Sequence, residues 1–238
     1  MVVVAPGIPD QLHELLLDSL ALLQVSDDVD DTMRRVTSAV RQLIDGCDMS
    51  SVSALDRSRI RTVGATDPAA EAVDAIQYET REGPCWEAAT ERRLMVYTPD
   101  TAQDTRWPAF SRRTADEAKV VSLLSCRLVI GEPPRPLGAL NIYSSTAAAF
   151  DRADQQVAML LAAVAAVVLD AASRQANLGT ALRSRGLIGQ AVGILMAQSD
   201  ITAGEAFEQL RDASQRMNVK LRDLAQAITE STGKNREP

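Results

Sequence analysis

Apolar residues recur at intervals of three and four in residues 12–43 and then change to alternate positions. The polar segment QVSDDVDD interrupts the first pattern near Ser26, so the pattern predicts two helices rather than one. In the following stretch, MSSVSALDRSRIRTVGAT, apolar and polar residues alternate on either side of Asp56-Arg57-Ser58. Alternation around a short polar turn is typical of a β-hairpin.

Further helices and strands follow this hairpin. Residues 68–78 predict a short helix, Gly83-Pro84 predicts a turn with another helix beginning near Cys85, and residues 94–97 predict a short strand. KVVSLLSCRLVI and PLGALNIYSS predict two adjacent strands joined by the turn-rich GEPPRP. Helices that separate and follow such runs of strands predict an α+β fold rather than a parallel doubly wound one.

A long helical pattern begins at Asp151. Its spacings alternate between three and four, which is the a/d pattern of a coiled coil over roughly four heptads. The a/d positions are Val157, Leu161, Val164, Val168, Ala171, Gln175, Leu178, Leu182, Arg185 and Gly189. We expect a continuous helical stalk that holds a homodimer, because soluble monomers rarely leave a long apolar seam exposed. The alternative is an Ala-rich helix that packs on the sheet as far as Leu169, followed by a flexible linker.

Two more helices are predicted after Ser199. Thr202 and Glu205 have the spacing of a capping box, which begins the first of them, and Asn218 separates it from the second. The preceding helical stretch, RSRGLIGQAVGILMAQ, contains three glycines, each of which costs a helix about 1 kcal/mol relative to alanine. The three glycines are Gly186, Gly189 and Gly193, and with Ala197 they form one row along the helix. We expect the last two helices to pack closely against this flattened row.

Charge is distributed unevenly along the 238 residues. The net charge is −7, but the segment from Arg183 onward is +1 and the remainder is −8. This allows a nucleic-acid-binding segment at the C-terminus and argues against a protein that coats nucleic acid or an anionic membrane through charge alone. The start, MVVVAPGIPD, lacks the basic region of a signal peptide, and the longest apolar run, residues 157–169, is too short to cross a bilayer. We therefore expect a cytoplasmic protein without a membrane segment.

The reactive side chains give no indication of catalysis. The single histidine, His13, has no second histidine with which to form a metal site, and phosphate-binding and dinucleotide glycine motifs are absent. Cys47, Cys85 and Cys126 are widely spaced without a C-x-x-C pair, so they predict neither a disulfide framework nor a zinc site. We expect no catalytic residue, no metal and no evident cofactor.

Three residues are candidates for contact with a small ligand: Tyr78, Cys85 and Trp86. Cys85 follows Gly83-Pro84 and is expected near a helix N-terminus, where the helix dipole lowers the pKa of a thiol. Such a thiol would suit a redox sensor or a ligand contact. The alternative is that Cys85 is a small buried packing residue and that the two aromatic side chains fill the core.

The C-terminal segment closely resembles the ANTAR domain, the RNA-binding module of bacterial transcription antiterminators. The motifs are R-x-x-I-G-Q-A-V-G-I-L-M at 185–196, E-A-F-x-x-L-R at 205–211 and N-x-K-L-R-D-L-A at 218–225. The resemblance implies a three-helix bundle that binds paired RNA hairpins, although Val192 replaces a lysine found in many ANTAR domains. The exposed polar groups expected to contact RNA are Arg185, Gln190, Arg211, Lys220 and Arg222.

The preceding region resembles the GAF domain, a small-molecule sensing fold, through REGPCWEA at 81–88 and LGALNIYS at 137–144. The resemblance implies an antiparallel sheet of six or so strands, flanking helices and a pocket for a ligand of unknown identity. We expect a GAF-like sensor at 12–172, a helical linker at 173–182 and an ANTAR-like domain at 183–232. The resulting hypothesis is a dimeric RNA-binding antitermination regulator that responds to a ligand or redox signal. The alternatives are a helix-turn-helix DNA-binding regulator and a sensor that acts through a protein partner.

Overall fold

The computed structural model describes residues 28–56, 59–91 and 93–234. The first of the two helices predicted within residues 12–43, and His13 with it, lie outside these residues. The second is helix α1, Val29–Leu43, which begins where the side chain of Asp28 accepts a hydrogen bond from the backbone N–H of Asp30 (2.9 Å). Its buried positions recur at intervals of three and four, as the apolar pattern predicted.

Five antiparallel strands form one sheet in the order β2-β1-β5-β4-β3. Their bounds are β1 Met49–Asp56, β2 Arg59–Ala65, β3 Met95–Thr98, β4 Ser122–Ile130 and β5 Arg135–Ser144. The hairpins β1–β2 and β4–β5 are both present where alternation and turn residues predicted them. The described part of the chain thus has five strands, where the resemblance implied six or so, and the predicted α+β class is confirmed.

Helices cover both faces of the sheet. Helix α1 and the first part of α5 (Arg152–Ser199) share an apolar core with one face, to which Ile142 belongs. The other face is covered by α2 (Pro68–Thr80), α3 (Pro84–Thr90) and α4 (Pro108–Glu117). Tyr143 belongs to this second core, because successive residues of a strand point to opposite faces.

Helix α5 runs without interruption for 48 residues, and its first part packs on the sheet. Leu161 and Val168, two positions of the expected dimer seam, are only 1% and 2% exposed in that core. The expected seam is therefore wrong over this part of α5, because the sheet of the same chain already covers it. The outward face carries Leu160 and Val167 instead, which are 52% and 50% exposed. The helix continues to Ser199, as expected, so the alternative is correct in its packing on the sheet as far as Leu169 and wrong in its flexible linker.

Helix α5 is also the one described helix that is long and apolar enough, by length and composition, to cross a membrane. Half of its most apolar 18-residue window is buried inside the structure. A core helix packed against a sheet has the same composition, and the sheet-facing residues of α5 account for much of this apolar character.

Contacts divide the chain into two compact units, Met1–Arg174 and Gln175–Pro238. In the second unit the last part of α5 packs with α6 (Ala203–Met217) and α7 (Leu221–Lys234). Its buried centre consists of Ala191 from α5, Leu210 from α6 and Ala225 from α7. The predicted capping box of Thr202 and Glu205 begins α6. Asn218, with a φ of 52°, ends that helix.

The glycine row lies on the side of α5 opposite this buried centre. A Cβ atom added at Gly186, Gly189 or Gly193 would meet no atom within 4 Å. The expectation that the last two helices pack against the row is therefore wrong. Those helices instead contact the face of α5 that carries Ala191 and its apolar neighbour Leu187.

Candidate functional site

A cluster of polar side chains is buried between α2, α3 and the sheet of the first unit. Strand β1 contributes Ser51 and Ser53, and β5 contributes Asn141 and Tyr143. The members of each pair are two positions apart in a strand, so both point to the same face of the sheet. Ser51 also lies directly opposite Asn141 in the β1–β5 ladder, which brings the two pairs together. We call this group, with its helical partners described below, the polar cluster.

Asp74 of α2 is the centre of the polar cluster and is fully buried. Its carboxylate accepts hydrogen bonds from Ser51 Oγ (2.7 Å), Thr62 Oγ1 (2.8 Å) and Asn141 Nδ2 (3.1 Å), and also from the Tyr143 hydroxyl. Burial raises the pKa of Asp74 to about 6, although the hydrogen bonds from the hydroxyl groups act in the opposite direction. One carboxylate therefore joins α2 to three neighbouring strands.

Ser53 is a second junction within the polar cluster. Its hydroxyl lies 2.6 Å from the Tyr78 hydroxyl, and it accepts hydrogen bonds from Cys85 Sγ (3.1 Å) and Asn141 Nδ2 (2.8 Å). The structure thus brings together Tyr78 and Cys85, two of the three predicted ligand residues. Trp86, the third, is partly exposed on α3, and no described contact joins it to the polar cluster.

Cys85 does not have the lowered pKa that its helix position led us to expect. It is the second residue of α3, but it is fully buried. Burial raises the pKa of the Cys85 thiol, and the nearby Asp74 charge raises it further. Desolvation therefore outweighs any effect of the helix dipole on this thiol. The structure favours a neutral thiol that donates a hydrogen bond over a reactive thiolate.

The stretch REGPCWEA places Cys85 by linking three helices. Arg81 ends α2 in the left-handed conformation (φ 55°), and the Glu82 carboxylate accepts hydrogen bonds from Ala109 N (2.7 Å) and Phe110 N at the start of α4. Gly83 has a φ of 109°, and a Cβ there would lie 2.6 Å from Gln77 Oε1. Glycine is required at this position because both the conformation and the close contact exclude a side chain.

Gln77 adds an unused donor to the polar cluster. Its Oε1 accepts a hydrogen bond from the backbone N–H of Cys85 (2.8 Å). Its Nε2 is buried and has no hydrogen-bond partner among the described residues. An unpaired buried amide donor costs about 1–3 kcal/mol, so this atom is suited to an acceptor that comes from outside the chain.

An open cleft adjoins the polar cluster at one end of the sheet. It has a volume of about 290 Å³ and is lined by residues that include Asp48, Asp67, Lys119 and Tyr143. Tyr143 lines the cleft and also donates a hydrogen bond to Asp74. Tyr143 therefore belongs both to the lining of the cleft and to the polar cluster.

Asp74 and Asn141, which make most of the hydrogen bonds in the polar cluster, are not among the residues predicted from the sequence. Two signals pointed to them. Asp74 is an acidic residue on the apolar face of a predicted helix, and Asn141 is an amide within the apolar strand LGALNIYS. Buried polar residues of this kind require partners, which makes them candidates for a site.

In the second unit, the five predicted RNA-binding residues differ in how far neighbouring acids neutralise them. All five are exposed. Arg211 forms ion pairs with Glu208 and Asp212, and Arg222 with Asp223 (3.0 Å). Within the described residues, Arg185 and Lys220 form no ion pair. Gln190 has no acidic neighbour on α5, because that helix contains no acidic residue from 171 to 199.

Family comparisons assign both parts of the chain. The GAF domain family matches residues 26–170, and the ANTAR domain family matches residues 176–228. No curated protein sequence matches the chain.

Solved structures show the same fold as the first unit. A protein described as a GAF sensor from Burkholderia vietnamiensis has 16% identity and a TM-score of 0.53, covering 72% of this chain and 99% of its own. The GAF domain of an Acinetobacter phosphoenolpyruvate-protein phosphotransferase has 15% identity and a TM-score of 0.51, covering 72% and 99%. Free methionine-R-sulfoxide reductase from Neisseria meningitidis, solved with its substrate, has 14% identity and a TM-score of 0.51, covering 73% and 98%. At these identities the likeness concerns the fold alone.

Proposed function

This chain belongs to the GAF domain family and carries a C-terminal ANTAR domain, and from that premise we propose that its first unit senses a small molecule and controls hairpin-RNA binding by the second. A sensor-regulated RNA-binding regulator is the broad function that this pair of domains supports. The pairing of the two domains in one chain is the observation that carries the proposal. Transcription antitermination follows from the ANTAR family, and we place the protein in the bacterial cytoplasm.

We propose the polar cluster as the sensing site. It offers hydroxyl, amide and carboxylate groups with fixed positions, and Gln77 Nε2 is a donor without a described partner. The cleft that Tyr143 lines lies beside these groups. A polar small molecule suits the site better than an oxidant does, because the Cys85 thiol is buried and its pKa is raised.

A regulatory role agrees with the chain better than an enzymatic one. The reductase from Neisseria meningitidis shares the fold, but its activity is not implied at this identity. Within the described residues no group of three or more histidine, cysteine or acidic side chains could hold a metal ion. The three cysteines are all buried.

For RNA contact we propose the five residues identified from the sequence, with Arg185 and Lys220 as the strongest contributors. Their charges are not compensated by described acids, so they keep their full attraction for phosphate. Arg211 and Arg222 must exchange a carboxylate partner for RNA, which reduces their net contribution. Gln190 adds neutral hydrogen-bonding capacity on α5.

We propose that a second copy of the chain covers the outward face of α5. Leu160 and Val167 are seven residues apart on this face, and Leu178 and Leu182 continue it with exposures of 62% and 59%. This homodimer places two RNA-binding units in one molecule, as paired hairpins require.

The experiment is a mobility-shift series with a two-hairpin RNA, the same RNA with scrambled loops, and a duplex DNA of equal length. We expect clear preference for the intact two-hairpin RNA. Arg185→Ala should weaken binding by about 1–3 kcal/mol per protomer. Lys220→Ala should weaken binding to all RNAs more evenly, because lysine acts as a point charge. Arg112→Ala, which removes an exposed arginine of the first unit, is the matched control.

Each alternative has its own outcome in this series. Tighter binding to the duplex DNA would support a helix-turn-helix DNA regulator. Equal affinity for all three nucleic acids, or no binding to any of them, would refute the antitermination proposal. In a separate pull-down, a protein partner that is retained after ribonuclease treatment would support a sensor that acts through a protein partner.

A further inference from the structure

The last buried turn of α5 in the first unit carries an acidic residue between two arginines. The side chain of Asp170 is only 9% exposed, and it forms ion pairs with Arg174 (2.7 Å) and Arg135. Beyond Ala172, α5 has no buried residue until Ala191. The Asp170 pairs are therefore among the final contacts of the helix before it leaves the first unit.

The two arginines connect Asp170 to different parts of the first unit. Arg174 lies one turn further along the same helix, so its ion pair with Asp170 cannot fix the helix to anything else. Arg135 is the first residue of β5 and pairs with Ile130 across the β4–β5 hairpin. Of the two ion pairs, only Arg135–Asp170 joins the sheet to α5.

The same strand reaches the polar cluster. β5 begins at Arg135 and carries Asn141 and Tyr143, two of the donors to the Asp74 carboxylate. A paired strand in the middle of a sheet moves largely as a rigid element. A change in the polar cluster that shifts β5 along its length thus also shifts the guanidinium that holds Asp170.

We propose that the Arg135–Asp170 ion pair is a latch that fixes the direction in which α5 leaves the sensor unit, and that a signal in the polar cluster acts through it on RNA binding. This inference rests on the proposed sensing and RNA-binding functions. The latch is suited to switching because Arg135 is 57% exposed. Water can replace the carboxylate at Arg135, while Arg174 remains beside Asp170.

The test compares Arg135→Ala with Arg174→Ala in the full chain, since each removes one arginine from the same carboxylate. Hydrogen exchange of residues 173–182 should rise about fivefold or more in Arg135→Ala and by less than about twofold in Arg174→Ala. Affinity for a two-hairpin RNA should fall about threefold or more in Arg135→Ala only, because two-site binding depends on how the two helices are held. Affinity for a single hairpin should stay unchanged. Asp170→Asn, which weakens both pairs, should reproduce the Arg135→Ala result.

The readouts separate a latch from general stabilisation. Intrinsic fluorescence reports the first unit alone, because both tryptophans, Trp86 and Trp107, lie in it. The midpoint of its unfolding in urea should be nearly the same in both arginine variants, because each variant leaves the other arginine beside Asp170. Equal hydrogen exchange in the two variants, or no increase in Arg135→Ala, overturns the latch. A wild-type protein that binds no hairpin RNA overturns the proposed function, and hydrogen exchange still decides the latch.

Discussion

Replacing Asp74 by asparagine should change how the stability of the first unit depends on pH. Burial raises the pKa of Asp74 from 3.8 to about 6 in the folded chain. A raised pKa means that the folded state binds a proton more tightly than the unfolded state does. The stabilisation from this group is therefore fully present below about pH 4 and is lost as the pH rises through about 6, a total of about 3 kcal/mol.

The measurement is urea unfolding followed by tryptophan fluorescence in wild type and Asp74→Asn. Between about pH 7.5 and about pH 5, the free energy of unfolding of wild type should rise by about 1.4 kcal/mol relative to the variant. Asparagine does not titrate, so other groups cancel in the difference. Asp56→Asn, at an exposed position, is the control and should show no such change relative to wild type. A difference between wild type and Asp74→Asn that is constant with pH would show that the polar cluster holds the carboxylate without penalty.

Three further predictions test the packing, and two of them include a comparison variant. Leu160→Asp should leave the fold intact but convert the proposed dimer into a monomer at micromolar concentration, as measured by light scattering. Leu161→Asp should instead unfold the first unit. A monomeric wild-type protein would refute this interface. Gly138→Ala should destabilise the first unit by about 3 kcal/mol or more, because the added Cβ would lie 1.7 Å from Ser53 O. In the control Gly131→Ala, the nearest atom to the added Cβ is 3.8 Å away, so the loss of stability should be far smaller. Gly193→Ala should raise the melting temperature of the second unit, with a gain of about 1 kcal/mol in helix propensity; a lower melting temperature would mean that something already packs there.

Local patterns predicted the elements of this chain well. The alternation in residues 49–65, the turn-rich GEPPRP and the Thr202–Glu205 spacing each specify a structure through neighbours in sequence. The assignment of the two domains also followed from contiguous motifs.

The predictions that were wrong depended on which distant element covers a face. The a/d pattern through Leu161 is real, but the same spacing suits a helix that packs on a sheet, and only the fold shows that Leu160 is the exposed neighbour. The position of Cys85 at a helix start was correct, but its burial reversed the direction of the pKa shift. The glycine row was identified correctly, and only the position of α6 and α7 shows that it faces away from them.

The two faces of the sheet differ in how readily their residues can be exchanged. The face under α1 and α5 holds an apolar core that resists change, because altered volumes there leave cavities or strain. The face under α2 and α3 is lined by small hydroxyl residues such as Ser51, Ser53 and Thr62, whose exchange alters hydrogen bonding with little change in volume. Mutation can therefore change the hydrogen-bonding groups of the polar cluster while the apolar side maintains the architecture. For the proposed sensing site, this arrangement makes specificity evolvable.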